Sequence, residues 1–91
     1  MDTNAIIEFL ERETDLRDTA QVTTFVGHRT TEDGTLQKVT FEVEDRGERA
    51  GAERYTVSFR SDDAKGGGSS DYHATVEDAI GTATVHWERL G

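Results

Sequence analysis

Large apolar residues alternate with polar ones in two runs of this 91-residue chain. Val39, Phe41 and Val43 are interleaved with Lys38, Thr40, Glu42 and Glu44. Tyr55, Val57 and Phe59 are interleaved with Arg54, Thr56, Ser58 and Arg60. A period of two marks a strand with one dry face and one wet face. Residues 45–53, polar and punctuated by glycine, read as the hairpin loop between them. The expected register sets Phe41 opposite Val57, Val43 opposite Tyr55 and Val39 opposite Phe59, so that all six share one face.

Residues 21–29 read as a preceding strand, since Val22, Thr23, Thr24, Phe25 and Val26 are all strand formers. Asp33-Gly34 follows, a strong hairpin signal, because a two-residue type I′ turn needs positive φ at both central positions. That turn sets Val26 opposite Phe41 and Thr24 opposite Val43. Val22 and Val26 then join the dry face, and Phe25 falls on the wet face beside Glu42.

Helical spacing appears at both ends. Ile6, Phe9 and Leu10 recur at i, i+3 and i+4 behind three candidate caps, Asp2, Thr3 and Asn4. Leu16 continues this stripe or anchors the connection. Tyr72, Val76, Ala79, Ile80, Ala83, Trp87 and Leu90 follow the same period, with Thr75 and Asp78 in capping positions, and predict a helix over 75–90. The alternative is a short helix ending at Gly81 plus a fourth strand at 82–88, because residues 82–87 have poor helix propensity and alternate acceptably. Residues 61–70, with Gly66-Gly67-Gly68-Ser69-Ser70, have the composition of a flexible loop. The fold expected is α+β: one domain spanning 1–91, a two-layer sandwich in which both helices lie on one face of a three-stranded antiparallel meander, in the order αβββα.

That element order, with a glycine-containing loop before the last helix, resembles double-stranded RNA-binding domains. The resemblance implies a cluster of lysines at the start of the last helix that grips phosphates. The matching positions, Ser69, Ser70, Asp71, Tyr72, His73 and Ala74, hold no lysine and one aspartate.

Composition narrows the classes. With no cysteine, neither a disulfide frame nor a thiolate zinc site can form. No apolar run is long enough to span a bilayer, and the N-terminus lacks a basic segment followed by an apolar one, so a cytoplasmic protein without membrane partners is expected. Nineteen acids against ten bases give a charge of -9, and only Lys38 and Lys65 are lysines. Such self-repulsion is screened at about 1 M salt, where the Debye length is about 3 Å. The composition therefore suggests adaptation to a salty cytoplasm; the alternative is an ordinary acidic domain.

Phe25, Arg29, Lys38, Arg54 and Arg60 are the candidate binding residues, expected together on the open face of the sheet. An aromatic among bases suits stacking on single-stranded nucleic acid. It also suits a protein contact or a homodimer that buries Phe25 against its copy, and a plain wet face is the third reading. The first strand, without lysine or proline, is an expected sheet edge open to pairing. His28 is expected to point inward near the hairpin tip and His86 to face solvent, while His73 lies four residues before Glu77. No paired metal motif, phosphate-loop pattern or nucleophile elbow is present. The expectation is a non-enzymatic protein–protein interaction module or homodimer without cofactor, with a nucleic-acid-binding module as the alternative and an enzyme third.

Overall fold

The computed structural model describes residues 2–63 and 66–85. Its elements are helix α1 (Thr3–Thr14), strands β1 (Gln21–Thr30) and β2 (Leu36–Asp45), a 3-10 segment (Glu48–Glu53), β3 (Tyr55–Ser61), β4 (Gly67–Ser69) and helix α2 (Val76–Ala83). The strands form one antiparallel sheet in the order β1-β2-β3-β4. The α+β class holds, but the sheet has four strands among the described residues in place of the expected three.

Both hairpin registers differ from the expected ones, with different consequences. β2 and β3 pair Phe41 with Phe59 and Val43 with Val57. This is a slip of two, which leaves every side chain on its expected face. The Phe41 and Phe59 rings stack at 5.1 Å. At the loop end, Asp45 accepts from Arg54 Nε at 2.7 Å and Nη2 at 3.1 Å, and from the Gly47 N–H at 2.8 Å. These bonds hold the Asp45 carboxyl below its ordinary pKa, the Arg54 guanidinium contributing most.

The β1–β2 hairpin slips by one. Phe25 pairs with Phe41, Thr23 with Val43 and Gly27 with Val39. The turn has three loop residues, not two: the Thr31 N–H donates to the Thr35 carbonyl and the Gly34 N–H to the Thr31 carbonyl. Only Gly34 has positive φ, at 84°, so the geometry is a type I turn closed by a left-handed glycine. The Asp33 carboxylate accepts from the Thr35 N–H at 2.9 Å, the local bond that lets aspartate act without itself adopting positive φ. One extra loop residue turns β1 over. Phe25 lies on the face with Phe41 and Phe59, while Val22, Val26 and His28 lie on the other.

β4 occupies the stretch expected to be a loose loop. Gly68 sits so close under α2 that a Cβ there would meet the Ala83 carbonyl oxygen at 2.5 Å and the Phe59 ring at 2.7 Å. Glycine is present because another backbone passes close by, as in strands that bear no side chain at such a point. Ser70 extends the pairing: its N–H donates to the Val57 carbonyl, and its hydroxyl accepts from the Val57 N–H. His73 and Tyr55 then exchange two backbone hydrogen bonds at 2.8 Å.

α2 starts as expected, with the Thr75 hydroxyl accepting from the Asp78 N–H at 3.2 Å. It ends at Ala83, followed by a turn at Thr84 and Val85, so residues 82–85 do not form the alternative strand. The expectations for His86, Trp87 and Leu90 fall outside the described residues. Ala79 and Ala83 are buried on Val39, Val57 and Phe59, which makes this the core.

α1 makes no extensive contact with α2. Asp2 caps it, accepting from the Ala5 N–H at 2.8 Å. The residue it buries is Ile7, 2% exposed, and not the expected Ile6 and Phe9, which are exposed. Ile7 lies against Gly47, in the β2–β3 connection. The Asn4 side-chain oxygen accepts from the Glu48 N–H at 2.7 Å, and Arg49 pairs with Glu11 at 2.5 Å. Arg49 and the Thr19 N–H together lower the Glu11 pKa to about 2. The helix is thus tied to the β2–β3 connection, and its Thr3 hydroxyl also donates to the Gln21 side chain at the start of β1.

Candidate apolar groove and sheet edge

The inner face of the sheet, under α2, is defined by the odd-numbered residues of β1, β2 and β3. α2 is short and packs over β3 and β4. Among the described residues, no second layer covers the β1 half of that face. The result is a groove of about 600 Å³, with Phe25, Phe41, Val43 and Tyr55 on its floor and Val76 and Ile80 of α2 on its wall. Phe25 is 57% exposed although it lies on the inner face. The groove ends near Asp45, whose charge the Arg54 guanidinium already neutralises.

β1 bounds this groove and is, among the described residues, one of the two edge strands of the sheet. Antiparallel residues alternate between those bonded to one neighbour and those facing the other way. The bond from Thr31 to Thr35 places the odd residues of β1 in the bonded pairs with β2. The N–H and C=O groups of Val22, Thr24, Val26, His28 and Thr30 therefore point away from the sheet.

The five residues expected on one open face do not share one. Phe25 and Arg29 lie on the inner-face positions of β1. Lys38 and Arg60 lie on the outer face, where Arg60 approaches Glu42 at 3.6 Å. Arg54 precedes β3 and folds onto Asp45 and the Tyr55 ring, 4.8 Å away. The one-residue slip of β1 is the reason: it moves Phe25 and Arg29 through the sheet while Lys38 and Arg60 stay. The same slip puts His28 outside, exposed and paired with Lys38 across the hairpin, and not inward as expected.

Comparison with protein-family models, with curated proteins and with solved structures found no match.

The chemistry of the site is therefore read from its geometry. The walls are aliphatic and aromatic, and the adjoining edge offers regularly spaced donors and acceptors. Among the described residues, no three histidine, cysteine, aspartate or glutamate side chains gather as metal ligands. Such a surface can accept apolar side chains and an added strand. Phe41, Val76 and Ile80 do not stand out as site residues in the sequence. Their periodicity marks them as core, and among the described residues the short reach of α2 leaves them lining a groove.

Proposed function

We propose that this protein is a non-enzymatic interaction module that binds protein through the inner-face groove and the β1 edge. The observation that carries the reading is Phe25, exposed in an apolar groove on a ten-residue strand that is an edge of the sheet among the described residues. Contiguous apolar surface next to open backbone groups is costly to leave in water and favours a protein partner. The nucleic-acid alternative depends on an aromatic among bases on one face. Phe25 lies on the face opposite Lys38 and Arg60, so no observation favours that alternative.

The module is adapted to high salt in this reading. Its support is the charge of -9, the two lysines and the placement of the acids, none of which is buried among the described residues. Molar potassium chloride should raise the melting temperature by several degrees; a rise of only a degree or two would remove this part.

The test of the interaction is Phe25→Asp. Immobilised wild-type and variant chains are compared for partner capture in molar potassium chloride, and each is weighed by light scattering. The expected result is association by the wild type that the variant loses, with far-UV circular dichroism unchanged. Identical capture and identical mass for both chains would overturn the reading.

A further inference from the structure

We propose that the partner at this edge is a second copy of the chain: β1 pairs antiparallel with the partner's β1 about a two-fold axis beside Phe25. This rests on the interaction reading above and specifies its partner.

Charge selects the partner. Two copies at -9 repel, and contact between them is favoured where no acid meets an acid. Residues 19–31 form the longest acid-free run in the chain, and β1 lies wholly within it, with Arg29 as its only formal charge. β2, by contrast, carries Glu42, Glu44 and Asp45, and the opposite edge, β4, is three residues long. β1 and β4 are both acid-free edge strands among the described residues, and only β1, with ten residues against three, is long enough to form an extended pair.

Geometry selects the register. The outward groups belong to even-numbered residues, so a two-fold axis through Phe25 forms bonded pairs of Thr24 with the partner's Val26 and of Val22 with the partner's His28. Phe25 then faces the partner's Phe25 in a non-bonded pair, where side chains of antiparallel strands come closest. Gln21 faces the partner's Arg29. Phe25 stands near the middle of the strand, so nine residues on each side, 21–29, take part. The two inner-face grooves join across the axis, which removes both Phe25 rings from water and gives one continuous eight-stranded sheet. An axis at Val26 instead sets Phe25 against the partner's Gly27 and leaves the rings unpaired.

The absence of native cysteine makes the register directly measurable. The full chain is weighed by sedimentation equilibrium in 2 M potassium chloride, and Phe25→Cys and Thr30→Cys are oxidised in parallel. The expected results are a mass of two chains and a disulfide that forms at position 25 at least ten times faster than at position 30, at the far end of the strand. Equal rates, or faster bonding at position 30, would overturn the register. A monomeric wild type would overturn self-pairing altogether. In that case, loss of a different captured protein by Phe25→Asp leaves the interaction reading standing, whereas unchanged capture removes both. A monomer in which the thiol introduced by Phe25→Cys reacts sluggishly with a thiol reagent would show that the chain covers its own edge, and that too overturns the proposal.

Discussion

The two halves of the sheet's inner face carry the same kinds of residue and meet opposite fates. Over β3, Val57 is 1% exposed, and Ala79 of α2 above it is fully buried. Over β1, Phe25 remains more than half exposed, and on the reverse side Val26 is 55% exposed. The difference does not arise from strand propensity, which β1 has in abundance. It arises because, among the described residues, an eight-residue helix covers about two strands of a four-stranded sheet. α1 does not cover the rest, because Ile7 on Gly47, its bonds to Glu48 and Arg49, and the Thr3 hydroxyl on the Gln21 side chain hold it at the start of β1 and the β2–β3 connection. The comparison shows that an alternating pattern secures a strand but not the burial of its dry face, which needs a second layer within reach.

Substituting one phenylalanine on each side tests this contrast most strongly. Phe59→Ala should cost about 3–5 kcal/mol, the usual range for emptying an aromatic site in a core, read from the urea midpoint at fixed salt. Gly68→Ala comes next. Its methyl group would press on the Ala83 carbonyl and the Phe59 ring, and a loss of about 1–3 kcal/mol is expected from overpacking. A neutral result there would mean that β4 and α2 separate easily, and the covered half would be less rigid than described.

Asp45→Asn should cost about 1–2 kcal/mol at neutral pH, since it weakens charge-assisted bonds to a mostly buried arginine. The sign of its pH dependence follows from the lowered folded-state pKa. The wild-type advantage should be full above the unfolded carboxylate range, near pH 4, and should vanish as pH falls through the lower folded value. An advantage that grew on acidification would contradict the clamp. The smallest effect belongs to Phe25→Ala, at about 1 kcal/mol or less when stability is measured on dissociated protein. A loss equal to that of Phe59→Ala would erase the distinction between the two halves.

How much of this is legible in the sequence depends on parity. The β2–β3 register differs from the expected one by two residues at no cost to the assignment of faces, because side chains repeat every two. The β1–β2 register differs by one, and that single residue carries Phe25 and Arg29 to the other side. Asp33-Gly34 announces a hairpin correctly but does not reveal whether two or three residues form its loop. Both forms use a left-handed glycine, and the choice turns on the conformation of Asp33. Gly66-Gly67-Gly68 misleads for a related reason, since composition alone does not separate a flexible spacer from a strand that must pass beneath a helix.

The sequence by itself determined the strands β1 to β3, a first helix starting within residues 2–4 and a second capped at Thr75, the face shared by Val39, Phe41, Val43, Tyr55, Val57 and Phe59, and the strongly acidic character. These depend on period, capping chemistry and charge, which act between near neighbours. Only the tertiary structure decided which way β1 faces, that β4 exists, that α1 docks on a loop, and that the groove beside Phe25 stays open. Those outcomes turn on one residue of loop length and on the reach of a short helix, contacts between segments far apart in the chain.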